Sequence, residues 1–269
     1  MGNYIKALII AMFFSIFIVT SSPVNANMTL SQDEEDYITN SKTLKAVSID
    51  GAAPLSYTNS KGEVVGISIN FLNEASELTG LSFKFELVKT VGEALASDYD
   101  LLFNATTNYV PDHILLSKPY LNTEAIIYMN KSMDLSQIED KRFAAIQGGT
   151  LPEGIKEENV IFFNNRKDTL DAVNKGIADY SYGNAYSIAF YALQNDYPNI
   201  ITVPTGKEER AYCMGFEKGN EILLSIINKS IDSIGEKRIQ TLILDVASQV
   251  ERNITLPMIV DTYWKEILG

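Results

Sequence analysis

The chain of 269 residues has one cysteine, one histidine and one tryptophan. A single cysteine excludes any disulfide within the chain, and a single histidine leaves no Cys/His set for a zinc site. A nucleophilic triad with a histidine base would have to rest on His113. Basic residues are also in deficit. Against 34 Asp and Glu stand 22 Lys and Arg, a formal net charge of -12. Such a chain repels phosphate backbones, so no nucleic acid is expected as a partner. No cofactor and no metal is expected either. Hydrophobic residues at 46% and charged residues at 21% suit a globular core, which excludes disorder, collagen and a continuous coiled coil. At roughly 100–200 residues per domain, the length allows one large domain or two small ones.

The apolar run near the start is too short for a membrane span, which needs about 20 residues. Residues 1–26 instead have the layout of a secretory signal: Lys6, the charge-free stretch Ala7 to Val19, the break Ser21-Ser22-Pro23, and a small-residue cleavage site at Val24-Asn25-Ala26. An uncleaved anchor is the other reading. No cysteine follows the cleavage site, so a lipid anchor is not supported. The expected location is periplasmic or otherwise extracytoplasmic. Cys213 sits in the apolar run Ala211 to Met214 and reads as a buried small hydrophobe.

After the leader, helices and strands alternate. Residues 29–40 read as an amphipathic helix capped by Thr29 or Ser31. Strands are expected at 44–49, 82–88, 99–103 and 125–129, and Val64 to Ile69 reads as extended chain. In 82–88, Phe83, Phe85 and Leu87 share one face. Helices are expected at 70–78, stopped by Thr79-Gly80, and at 91–96. The pattern then restarts: strands at 142–147, 160–163, 177–182, 200–203 and 210–216, helices at 167–174 and 185–194, and a long helix at 220–234 continuing over 237–250. Alternating strands and helices imply an α/β fold with parallel sheets. Roughly ten strands is near the limit for one twisted sheet, so two lobes are expected.

Several segments, in order, resemble the family 3 bacterial solute-binding proteins. Pro54-Leu55-Ser56-Tyr57 and Gly62 to Leu72 are similar to the family's PPxSYxxxxGxxxGxxxDL opening. Tyr99 to Leu102 resembles its Asp strand, Ser117 to Tyr120 its SxPY, Asp140 to Thr150 its GKRVAVQxGTT, and Gly176 to Tyr180 its GxxDA. The resemblance implies an α/β, two-lobed Venus flytrap of the periplasmic-binding-protein type II, with two crossing hinge strands near Met129 and Val203. It also implies a division into 27–130 for lobe 1, 131–204 for lobe 2, 205–250 for the return to lobe 1, and 251–269 as a C-terminal, juxtamembrane segment. A small-molecule ligand would sit between the lobes and favour the closed state.

Amino-acid binders of this family carry an Arg in a TxxR motif and an Asp in lobe 2. Here Thr106 to His113 contains no Arg, and Asn184 stands at the Asp position. Hydrogen bonds to charged groups contribute roughly 1.5–3 kcal/mol each, so losing both anchors would weaken a micromolar ligand by about 10³-fold. Ordinary α-amino acids are therefore disfavoured unless a residue elsewhere compensates. The candidate ligand-binding residues are Asp50, Tyr57, Asn104, Thr106, Thr107, Gly149, Thr150, Tyr182 and Asn184. Gly148-Gly149-Thr150 offers either an anion cradle or a plain turn. Asn104, Thr106 and Thr107 offer neutral contacts or loop caps. Tyr182 would wall the pocket by stacking, and Asp50 and Tyr57 flank the first loop.

No catalytic residues are expected. Two end features resemble the sensor domains of bacterial histidine kinases and diguanylate cyclases: Leu30 to Ile38, and the run from Ile254 to Gly269 with Tyr263 and Trp264. The expected role is a receptor sensor domain with a membrane output domain as partner. The alternative is a soluble binding protein delivering solute to an ABC permease. A dehydratase of the same fold would need cationic anchors, and a flytrap without ligand is the remaining reading.

Overall fold

The computed structural model describes residues 28–107, 110–134, 138–149 and 151–250. The expected leader, Thr150 and the segment 251–269 lie outside the described residues.

In chain order the strands are β1 (Leu44–Ile49), β2 (Tyr57–Thr58), β3 (Val64–Val65), β4 (Phe83–Val88), β5 (Leu101–Ala105), β6 (Leu115–Leu116), β7 (Leu121–Asn130), β8 (Phe143–Ile146), β9 (Val160–Phe163), β10 (Tyr180–Asn184) and β11 (Ile200–Phe216). The helices are α1 (Gln32–Asn40), α2 (Ile67–Thr79), α3 (Val91–Ala96), α4 (Arg166–Asn174), α5 (Ala185–Gln194) and α6 (Glu221–Ser248). A nine-stranded sheet runs in the order β4-β1-β5-β11-β7-β10-β8-β9, with the ninth strand, β6, on β11. Each end of the path is parallel: β1 pairs β4 and β5, and β8 pairs β9 and β10. The middle is antiparallel, because β7 and β11 pair with each other and with one neighbour from each side. The fold is the expected two-lobed α/β flytrap with two crossing strands.

Register locates the crossing. On β7, Leu121 to Glu124 pair with Tyr212 to Glu209 of β11 and Ile126 to Asn130 with Pro204 to Ile200, while Ala125 to Met129 pair with β10 on the other edge. The β7–β11 ladder slips between Pro204 and Glu209. β11 thus stays beside β7 on both sides of the slip, and β10 joins the other edge of β7 from Ala125. Two strands are expected here, at 200–203 and 210–216, yet Ile200–Phe216 forms one, with Pro204-Thr205-Gly206 inside it. Pairing along β7 keeps it one strand, and the slip absorbs the irregularity.

Local chemistry explains two further differences. Extended chain was expected to Ile69, yet β3 stops at Val65. Gly66 has φ 137°, and a Cβ there would come 2.3 Å from the Leu55 carbonyl oxygen, so only glycine fits and α2 begins at once. β10 starts at Tyr180 rather than Ile177, because Gly176 (φ 70°) turns the chain and leaves Ile177 half exposed.

One core packs β1, α2, β5 and β11 against α6, with Phe71, Leu101, Met214, Phe216 and Leu223 fully buried. Full burial of each such side chain contributes ~1.5–3 kcal/mol. Leu223, Ile226, Ile227 and Ile231 recur at helical spacing, as do Ile239, Leu242, Ile243 and Val246. Gly235 (φ 69°) kinks α6 between the two sets. A second core gathers Tyr128, Leu170, Val173 and Ile188, and also takes Ala53 from the β1–β2 loop. The first lobe thereby inserts a residue into the core of the second. On α1, Ser31 and Glu34 cap each other reciprocally. Buried Glu34 also accepts from Lys229 Nζ at 2.6 Å and Ser225 Oγ at 2.7 Å, fastening α1 to α6.

Candidate functional site

A cavity of about 80 Å³ lies between the lobes. Its wall is mostly apolar side chains of β1, α3 and β5 on one side, with Ile146, Asn165 and Arg166 opposite; Asn184, Ser187, Arg210 and Tyr212 complete it. A smaller cavity of about 40 Å³ shares Ile146, Arg166 and Arg210 and adds Gly149, Ser181 and Tyr182. The two arginines therefore stand at the partition. No Asp or Glu is among the described residues that line either cavity.

Arg166 owes its position to Asn165, whose Oδ1 accepts from the Asp168 N–H at 3.0 Å and starts α4 there. A cation in the first turn of a helix adds to the positive end of the helix dipole. The side chain is buried. Its Nη1 donates to the Tyr128 hydroxyl at 2.9 Å and to the Tyr182 carbonyl at 2.6 Å. Tyr128 donates onward to Thr169 Oγ1 at 2.6 Å, and Thr169 donates to the Arg166 carbonyl at 2.7 Å. This closed circuit fixes the guanidinium. Arg210 comes from β11, and because side chains two apart on a strand share a face, it lines the cavity together with Tyr212.

The structure brings four of the nine sequence candidates to these cavities. Asn104 and Asn184 line the larger one, and Gly149 and Tyr182 the smaller. Asn104, at φ 62°, ends β5. Its Oδ1 accepts from Ser68 Oγ and from Tyr120 Oη, and its Nδ2 donates to Ser56 Oγ at 2.7 Å and Ser48 Oγ at 3.3 Å. All four hydrogen-bonding positions of the amide are filled by the protein. Burial holds the Tyr120 hydroxyl far above its usual pKa, so it stays a donor. Asn184 caps α5: Oδ1 accepts from the Ser187 N–H at 2.7 Å, and Nδ2 donates to Ser187 Oγ and Tyr212 Oη, each at 2.9 Å. Both amides fasten the wall rather than present free groups to a ligand.

The other candidates lie elsewhere. Asp50 Oδ1 accepts from the Gly51 and Thr58 N–H groups at 2.8 and 3.1 Å, which closes the first loop. With Tyr57 it borders a separate depression, alongside Lys167 and Phe190. Tyr57 packs on Phe190, ring centroids 5.1 Å apart, and Tyr191 Oη donates to the Gly51 carbonyl at 2.9 Å, so this side is a lobe-to-lobe contact. Thr106 is buried, and its Oγ1 has no hydrogen-bond partner, alone in this among the described residues. Thr107 is exposed, and Thr150 is outside the described residues. Arg166 and Arg210 were not among the sequence candidates. The signal for them is indirect: arginine is scarce in this chain, and the loop after β5, where the family motif has its Arg, contains none.

Comparison with known proteins places this geometry. The model of bacterial extracellular solute-binding proteins, family 3, matches residues 44–244. No curated protein matches the sequence significantly. Among solved structures, the periplasmic domain of BvgS from Bordetella pertussis is similar with TM-score 0.74 at 18% identity, covering 89% of this chain and 49% of that one. The chain thus spans about half the length of that domain. An ancestral arginine-binding protein bound to arginine gives TM-score 0.65 at 18% identity, covering 76% and 97% of the two chains. A histidine kinase sensor domain with similarity to periplasmic binding proteins gives 0.61 at 14% identity, covering 78% and 96%.

Proposed function

The chain belongs to the bacterial extracellular solute-binding proteins, family 3, and from that membership we propose that it is the small-molecule-binding sensor domain of an extracytoplasmic membrane receptor. The observation that carries the reading is the cavity between the lobes, whose wall draws on both and holds two arginines. Ligand between the lobes favours the closed form by its differential affinity for that form. In this reading residues 27–130 and 205–250 form one lobe and residues 131–204 the other. Two features support a receptor over a carrier. The likeness to the BvgS periplasmic domain covers more of the chain than the family model does, and another similar structure is a histidine kinase sensor domain. The C-terminal helix, tied to α1 through Glu34 and Lys229, is a route by which closure reaches the segment after Val250. Residues 1–26 act as the export signal in this reading.

A soluble binding protein for an ABC importer is the second reading, supported by the likeness to the arginine-binding protein. An antibody against the chain, applied to fractionated cells, separates the two. A membrane-bound band well above 29.9 kDa is expected for the receptor. A soluble band slightly below that mass would replace the receptor by the carrier.

A further inference from the structure

We propose that the cleft takes a small carboxylic acid with an apolar body and no ammonium group, its carboxylate held at Arg166 and Arg210. The inference rests on the cleft being the binding site and names what the site selects. Three observations carry it. First, two guanidiniums from different elements meet at the partition between the cavities, in a chain whose formal net charge is -12. A guanidinium presents its N–H groups in a planar fork that matches a carboxylate. The start of α4 adds its positive end beneath Arg166. Second, no carboxylate is among the described residues lining either cavity, so nothing there matches an ammonium group. The position expected to hold an amine is Asn184, whose two N–H groups point at Ser187 and Tyr212. Uncharged and with its amide tied to these neighbours, Asn184 lacks the carboxylate that would pair a ligand ammonium. Third, the larger cavity beyond the arginines is lined by Val47, Val91, Ala94, Leu95, Leu102 and Val110. Its neutral polar neighbour Asn104 is saturated within the protein, so this wall offers contact to hydrocarbon and little to hydroxyls.

The size is consistent. A volume of about 80 Å³ accommodates roughly five to eight water-sized groups, the scale of a short branched acid, with the head reaching the smaller cavity. An acid with a second charged group or a sugar-like tail would bury unmatched polar atoms against this wall.

The test is titration calorimetry on the full chain with one carbon skeleton in three forms: 4-methylpentanoate, 4-methylpentan-1-ol and L-leucine. The acid is expected to bind saturably, at least tenfold tighter than either the alcohol or the amino acid. Arg210→Gln is expected to weaken the acid by tenfold or more while leaving the alcohol unchanged. The skeleton series needs no variant, so a misfolded substitution does not blunt it. Leucine binding as tightly as the acid, or the alcohol binding equally well, would overturn the proposal while leaving the cleft as a binding site. If the acid does not bind, the proposal fails, and a melting-temperature screen with sugars, polyamines and amino acids decides the rest. Stabilisation by one of those classes keeps the binding reading, and stabilisation by none removes it as well.

Discussion

The hydroxyl of Tyr128 accepts a hydrogen bond from Arg166 at 2.9 Å, and the guanidinium carbon lies 5.8 Å from the centre of the same ring. Tyr128 belongs to β7, one of the two strands that pass between the lobes, and Arg166 to the first turn of α4. The residue that orients the cation of the cleft therefore sits on a strand that runs between the lobes.

Replacing Tyr128 with Phe leaves the ring stack and removes the acceptor. A buried guanidinium N–H and Thr169 Oγ1 each lose a partner. The expected cost is about 1–3 kcal/mol in the unfolding free energy from urea titration, accompanied by weaker ligand binding. A variant with unchanged stability and unchanged affinity would remove Tyr128 from the support of the site.

Asn104 is expected to act through stability rather than contact. Asn104→Ala strips four hydrogen bonds from Ser48, Ser56, Ser68 and Tyr120 and puts alanine at φ 62°. A loss of roughly 2–4 kcal/mol is expected. Asn104→Gly relieves the backbone cost but not the lost bonds, so it should fall between wild type and the alanine variant in the same unfolding series.

Gly51 tests the lobe contact. It has φ 76°, and a Cβ there would stand 2.7 Å from the Asn165 Cβ across the cleft. Neither atom is a flexible tip, so the lobes must part. Gly51→Ala should enlarge the radius of gyration in solution scattering and weaken ligand binding, for a backbone cost of about 1 kcal/mol. An unchanged scattering profile would show that the two lobes tolerate the extra atom.

Glu34 sets a pH dependence. Burial raises its pKa, but the Lys229 ammonium, the Ser31 N–H and the Ser225 hydroxyl outweigh that and hold it at about 2, against 4.5 unperturbed. A folded pKa below the unfolded one means stability fully present above pH 4.5 and lost as pH falls towards 2. Lys229→Met should destabilise the protein by about 1–3 kcal/mol near neutrality. That difference from wild type should shrink as the pH is lowered through this window. Melting curves of both proteins from pH 7 to 2 check it, and a gap independent of pH would exclude the ion pair as its source.

Much of the scaffold was legible because it is local. Phe83, Phe85 and Leu87 alternate as a strand must, and Gly80 stops α2 at φ 82°, where a glycine is favoured. The long C-terminal helix continues as expected over 237–248, with a kink at Gly235 between the two stretches. The site was less legible. Asn104 and Asn184 were identifiable as cleft residues, but their partners Tyr120 and Tyr212 are distant in sequence, so nothing local says that their amides are already engaged. Asp50 carries the same lesson: beside a loop glycine and near Thr58, its carboxylate closes the loop.

By itself, the sequence determined the acidic balance, the exclusion of a disulfide within the chain, and the succession of strands and helices that makes a flytrap. Those follow from composition and short-range periodicity. Only the tertiary structure decided that β11 runs unbroken past Pro204, because its pairing with β7 outweighs the turn chemistry of that stretch. It alone also decided that Arg166 and Arg210 meet in one cleft. Their meeting depends on strand register and a helix start in separate parts of the chain, and no spacing along the sequence encodes it.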